Sequence, residues 1–228
     1  MKENIIHITE KFVRDTLGDD STGHDWHHIE RVRKNALYIA KREQKGDPFF
    51  IEMAALLHDI PDAKLNTSRE AGDRKLSDFL QELEITEEAF SSIKAIIDSV
   101  SFNGGYNTRI LSEEAKIVQD ADRLDAIGAV GIARAFAYGG KKGQLIYDPA
   151  LNIRREMTED EYRNGRSSSI NHFYEKLLKL KDLLNTDTAK EMAEERHEFM
   201  EQFLHQFFKE WNGKHEDDFC GKCDKNLW

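Results

Sequence analysis

The stretch from Phe49 to Leu57 constrains the fold more than any other part of the chain. Glu52 is its one charged residue, so a helix here carries apolar side chains on nearly every side. Such a helix has to be enclosed by other elements. Asp47-Pro48 supplies an N-cap followed by proline at the first helical position. Pro61 limits the other end, because the residue before a proline is pushed out of helical geometry. The apolar segment falls far short of the ~18 residues of a membrane span. It therefore reads as a central, buried helix of a globular core.

The flanking sequence supplies helices to surround it. Residues 25–45 place Ile29, Val32, Ala36, Ile39 and Ala40 on a helical stripe. Thr67 with Glu70 resembles a capping box ahead of Leu76, Phe79, Leu80 and Leu83. Thr86 to Val100 predicts a helix with Phe90, Ile93, Ile96, Ile97 and Val100 inward. Ser112 with Glu113-Glu114 starts another, expected to run through Asp122 to about Ala137. Residues 139–166 mix glycine, Pro149 and charges without a period, and read as a loop or short lid. Two long helices are expected over 167–184 and 187–211. The second lines up Met192, Arg196, Phe199, Phe203 and Phe207, an aromatic stripe that reads as core, and ends at Asn212-Gly213. No segment reads convincingly as a strand. The expected fold class is all-α, a helical bundle forming one domain over residues 1–212 with a polar tail over 213–228.

Composition narrows the partners. The chain has 33 Lys and Arg against 43 Asp and Glu, a formal charge of −10. That argues against a nucleic acid polymer, which needs a basic footprint. It leaves open a nucleotide or other small phosphorylated substrate, since a pocket can be locally positive on an acidic protein. Met1-Lys2-Glu3-Asn4 lacks the features of a signal peptide. Cys220 and Cys223 sit together near the end and cannot staple the fold. The chain is thus expected to be cytoplasmic, without a membrane partner, as a monomer or homodimer. Cys220 and Cys223, with His215 nearby, have the spacing of half a zinc site, but no second pair follows and the segment is discounted.

The residues that suggest chemistry are a scattered set of histidines and aspartates: His24-Asp25, His27-His28, His58-Asp59, Asp62, Asp120, Asp122 and Asp125. His58-Asp59 terminates the most apolar helix, where two unpaired polar groups would cost several kcal/mol. Asp122 also lies in an apolar stretch, between Ile117-Val118 and Leu124. This pattern alone fits either a buried metal site or a satisfied polar network. If a metal is held, two imidazoles and two carboxylates suit a first-row divalent ion better than calcium.

The order His28, His58-Asp59, Asp122 resembles the H…HD…D signature of the HD-domain metal-dependent phosphohydrolases. The flanks are similar too: His24 to Val32, Ala55 to Ile60, and Asp120-Ala121-Asp122-Arg123-Leu124-Asp125-Ala126-Ile127-Gly128. They are most like the small bacterial HD hydrolases that act as nucleotide pyrophosphohydrolases, over roughly residues 20–210. The resemblance implies one divalent ion, manganese foremost with magnesium, iron, cobalt or nickel as alternatives, held by His28, His58, Asp59 and Asp122. His28 is chosen over His24 and His27 because the family's first histidine lies four residues before an apolar position, here Val32. Asp62 falls where some members carry a proton-handling acid, although a helix-end cap after Pro61 explains it as well. Lys64 is expected to neutralise phosphate charge or to be an ordinary solvated lysine. His24, Arg31, His172 and Lys176 are expected around the substrate, with Arg31 alternatively paired to Asp125. His172 and Lys176 are four apart and would share a helical face. Ser101 to Gly105 reads equally as a loop near the base or sugar and as an ordinary turn. The implied reaction is hydrolysis of a nucleoside or deoxynucleoside triphosphate to the monophosphate and pyrophosphate. Family members that cleave nucleoside monophosphates or cyclic nucleotides, and a metal-holding sensor with little turnover, are the alternative readings.

Overall fold

The computed structural model describes residues 2–17, 23, 25–62, 65–100, 112–154 and 165–213. The architecture is all-α, with no strand among the described residues. In chain order the helices are α1 (Lys2–Leu17), α2 (Trp26–Glu43), α3 (Pro48–Leu57), α4 (Arg69–Glu82), α5 (Glu87–Val100), α6 (Glu113–Asp125), α7 (Gly128–Lys141), α8 (Ser169–Glu175) and α9 (Asp187–Trp211).

The apolar segment is α3, and it sits at the centre. It packs against α1, α2, α5 and α6. Ile51, Met53, Ala54, Ala55, Leu56 and Leu57 are fully enclosed. Each large side chain of that set contributes about 1.5–3 kcal/mol by leaving water. Asp47 caps the helix, its Oδ1 accepting from Phe49 N at 2.8 Å, with Pro48 following. Glu52, its one charge, accepts from Arg33 of α2, which also pairs with Glu10 of α1. One guanidinium therefore ties three helices together. α1 had no counterpart in the expected elements. It lays Ile5, Thr9, Val13 and Leu17 along one face at intervals of four.

Elsewhere the boundaries move for identifiable reasons. Ser68, not Thr67, caps α4, accepting from Ala71 N at 3.2 Å. The helix begun at Ser112 stops at Asp125 instead of running to Ala137. Gly128 then takes φ +75°, and a Cβ there would meet Arg196 Cβ and Cγ at 3.0 Å. The chain turns and restarts as α7. The helix expected over 167–184 is likewise short. α8 ends at Glu175, and Lys176 adopts φ −137°, ψ −59°. Two 3₁₀ turns follow, Leu177–Lys179 and Lys181–Leu183. Leu177 and Leu180, three apart, are both buried, as a period of three requires. In α9 the fully buried apolar residues are Ala189, Ala193, Met200 and Leu204, while Phe199 is 47% exposed. Met192, Phe203 and Phe207 of the expected stripe pack against the core, and Phe199 alone of its aromatics turns outward. Small residues let α9 approach its neighbours α2, α6 and α7. Residues 214–228, including His215, Cys220 and Cys223, lie outside the described residues.

Candidate metal centre

Two helices with the same local spacing meet face to face. On α2, His28 and Arg31 are three residues apart; on α6, Asp122 and Asp125 are three apart. Residues at i and i+3 share a helical face, so each helix presents two functional side chains to the other. Asp25 starts α2, its Oδ1 accepting from His28 N at 2.8 Å. The end of α3 delivers the remaining pair, His58 and Asp59, into the same space.

The distances show four groups converging. His28 Nε2 lies 3.3 Å from Asp59 Oδ2 and 3.6 Å from Asp122 Oδ1. His58 Nε2 lies 3.5 Å from Asp59 Oδ1 and 3.8 Å from Asp122 Oδ1. The two imidazole rings meet edge to face, centroids 5.3 Å apart. These separations are long for hydrogen bonds, which cluster at about 2.7–3.2 Å. Two donor atoms each about 2.1 Å from one ion lie about 3.0 Å apart at a right angle and about 3.4 Å apart at a tetrahedral angle. The observed spacings sit at and slightly above that range.

Both histidines expose the same nitrogen. His58 Nδ1–H donates to Ala55 O at 2.9 Å, and a carbonyl can only accept. His28 Nδ1–H donates to Asp125 Oδ2 at 2.8 Å. Each Nε2 therefore turns its lone pair toward the cluster. His58 Nε2 is buried and makes no hydrogen bond among the described residues. An unsatisfied buried nitrogen beside two carboxylates is the observation that fits a cation held here. His28, His58 and Asp59 are all buried, with one donor atom of each within 4.8 Å of the others.

The electrostatics agree. Burial alone would lower the His58 pKa, but the Asp59 and Asp122 carboxylates outweigh it and push it up to about 9. Burial would raise Asp122, but His58 and then His28 bring it down to about 2. The pocket is thus built around negative charge that stabilises a positive partner, whether protons or a metal ion.

Other expected residues fall as follows. Asp62 is half-buried in the turn after α3, where its N–H donates to Asp59 O at 3.0 Å. Arg31 donates through Nε and Nη2 to Asp125, at 2.7 and 3.0 Å. His172 is half-buried on α8, which packs on α7. Lys176 is the cap that closes α8, its N–H donating to His172 O at 3.0 Å, so it is not on a continuing helical face. His27 is exposed. His24, Lys64 and Ser101 to Gly105 lie outside the described residues. Asp120 faces away from the cluster and accepts from the backbone and side chains of Asn185 and Thr186.

Sequence reasoning missed the contact of Asp125 with His28, and missed Arg134 altogether. Arg134 Nη1 donates to Asp125 Oδ2 at 2.6 Å. The matched i, i+3 pairs on α2 and α6 were a signal for the first; nothing in the sequence pointed to the second. A cavity of about 650 Å³ is lined by Arg31, Lys34, Asp125, Arg196, Glu195 and Glu198 among others, but by none of the four converging residues. Its cations and acids are balanced, so the chemistry favours the cluster.

Comparison with known proteins follows the same lines. The family model described as HD domain matches residues 25–127. The uncharacterized protein YpgQ of Bacillus subtilis is 45% identical over 204 residues, 89% of this chain and 91% of that protein. Its crystal structure in complex with ADP superposes with a TM-score of 0.72, covering 91% of this chain and 98% of that one. A crystal structure of a Lactobacillus plantarum protein has a TM-score of 0.85 at 41% identity, covering 93% of this chain and 99% of that one. An HD-superfamily hydrolase of Bacillus thuringiensis has a TM-score of 0.73 at 50% identity, covering 94% of this chain and all of that one.

Proposed function

The chain belongs to the HD superfamily of hydrolases, and on that premise we propose that it is a metal-dependent nucleotide pyrophosphohydrolase. The substrate is a nucleoside or deoxynucleoside triphosphate, and the products are the monophosphate and pyrophosphate. The observation that carries the reading is that His28 Nε2 and His58 Nε2 each lie within 3.8 Å of a carboxylate oxygen of Asp59 and of Asp122. The ADP complex of YpgQ, a relative of 42% identity in that structure, supports a nucleotide over other phosphorylated compounds.

In this reading His28, His58, Asp59 and Asp122 hold one divalent cation, manganese first among the first-row ions that suit mixed nitrogen and oxygen donors. When bound, such a cation supplies Lewis acidity, neutralising phosphoryl charge and making water a stronger acid. The protein's own groups do the rest. Asp62, tethered to Asp59 through the turn, takes or returns a proton at its carboxylate. Lys64, His24, His172 and Lys176 compensate phosphate charge. Arg31, with Nε and Nη2 on Asp125, has Nη1 left to offer substrate.

The test is a panel of nucleoside tri-, di- and monophosphates and cyclic nucleotides incubated with manganese and followed by phosphorus NMR. Pyrophosphate with monophosphate is the expected outcome. Orthophosphate alone, or an opened cyclic ester, would replace this reading with a phosphomonoesterase or a phosphodiesterase. Bound metal with no turnover of any compound would make the protein a sensor.

A further inference from the structure

The Asp125 carboxylate is 2% exposed, and it lies behind His28, on the Nδ1 side of the ring. It accepts four hydrogen bonds from three side chains. Oδ2 receives His28 Nδ1–H at 2.8 Å, Arg31 Nη2 at 3.0 Å and Arg134 Nη1 at 2.6 Å. Oδ1 receives Arg31 Nε at 2.7 Å. Arg134 also reaches the Asp125 backbone oxygen, at 3.4 Å. The three donors come from α2 and α7, and the acceptor ends α6. A buried carboxylate gripped by two guanidinium groups stays an anion. As an anion it only accepts, so the His28 proton is fixed on Nδ1 and the ring plane with it.

We propose that Asp125 is the positioning residue of the metal centre, and that Arg31 and Arg134 form a clamp that orients its carboxylate onto His28. Arg31 then serves the centre chiefly through Asp125. The function is distinct from that of the four converging residues, because Asp125 contacts His28 at Nδ1 and not at the Nε2 that faces the cluster. It acts on the tautomer and direction of one imidazole. This inference rests on the proposed metal site, and Arg134 extends it to a residue with no place in the hydrolase reading.

The test compares the parent, Asp125→Asn and Arg31→Gln. Manganese affinity is read from the electron paramagnetic resonance of free ion. The His28 Nδ1 proton is followed by nitrogen-edited proton NMR in the zinc-loaded protein, with His28→Ala for assignment. The parent is expected to show a downfield proton on His28 Nδ1. In Asp125→Asn that resonance moves upfield and manganese affinity falls about 10- to 100-fold. Arg31→Gln, which removes two of the four donors at a partly exposed side chain, is expected to weaken manganese about threefold. It carries the test if Asp125→Asn does not fold. Manganese affinity within twofold of the parent in the folded variants, or a parent His28 protonated on Nε2, would overturn the proposal. A parent that binds no manganese or zinc would instead sink the metal-site reading on which it rests.

Discussion

α6 carries two kinds of buried aspartate on its two faces. Asp120 is fully enclosed and is satisfied by neutral donors, the N–H and side-chain groups of Asn185 and Thr186. Asp125 is as deeply buried but is satisfied by a histidine and two arginines. Burial raises the Asp120 pKa, and its neutral donors only partly offset that. Burial acts on Asp125 in the same way, but His28, Arg31 and Arg134 outweigh it and hold the carboxylate well below the usual range. An acid inside an apolar helix is therefore not in itself a sign of function. The partners decide: neutral donors make Asp120 a clasp for the start of α9, whereas the arginines hold Asp125 as an anion against His28.

The comparison breaks first, and most visibly, by mutation at the Asp122 face. Asp122→Ala is expected to lower nucleotide hydrolysis about 10³-fold, the several kcal/mol that a metal contributes to transition-state charge. Steady-state kinetics at a manganese concentration that saturates the parent reads this. Asp120→Ala should behave in the opposite way. It strands the donors of Asn185 and Thr186, and urea unfolding should show a loss of about 2–4 kcal/mol. The folded fraction should keep its manganese affinity and kcat/KM. If Asp120→Ala abolished metal binding while leaving stability intact, the division between the two faces would be wrong.

Titration sharpens the same contrast. In the metal-free protein the folded His58 pKa, about 9, lies above its unfolded value. Its contribution to stability is fully present below pH about 6.5 and lost as pH rises through about 9, at up to about 1.4 kcal/mol per unit. Asp122, lowered to about 2, contributes above pH about 3.8 and loses that contribution as the pH falls through 2. Asp120, raised, works in the opposite sense, costing stability as it ionises. Denaturant unfolding of metal-free parent and His58→Ala across pH 6 to 10 is the check. The parent should lose stability with rising pH, and the slope should be shallower in the variant, where only His28, its burial outweighed by Asp125 and Asp59, is still raised.

Smaller effects test the packing around the site. Gly128→Ala forces a side chain into a left-handed backbone against Arg196 and should cost about 1–2 kcal/mol in thermal or urea unfolding. Phe199→Ser, at an exposed position of α9, should change stability by less than about 0.5 kcal/mol. The aromatic-stripe expectation would have made it a core deletion worth several times more.

Much of the site was legible because its signals are local. Asp47-Pro48, the apolar run and His58-Asp59 define α3 without reference to the rest of the molecule. His28 and Asp122 were singled out by the resemblance of their order and flanks to the HD family, Asp122 also by its apolar surroundings. What could not be read depends on contacts between distant elements. The apolar residues from Ala126 to Ala129 continue a helical pattern, and only the close packing of Gly128 on Arg196 explains why the chain turns there. On α9 the stripe of Phe203 and Phe207 does meet the core, but the fully buried Ala189 and Ala193 were overlooked because larger side chains outweigh them in any periodicity. Arg134 sits on α7, and only the fold returns it to Asp125.

The central claim is that His28, His58, Asp59 and Asp122 form one cation site. The most direct measurement is isothermal titration of the metal-free parent and of the folded Asp59→Ala and Asp122→Ala variants with manganese. The account predicts one ion per parent chain and no measurable binding in either variant. Binding of equal stoichiometry and affinity in all three proteins would contradict it.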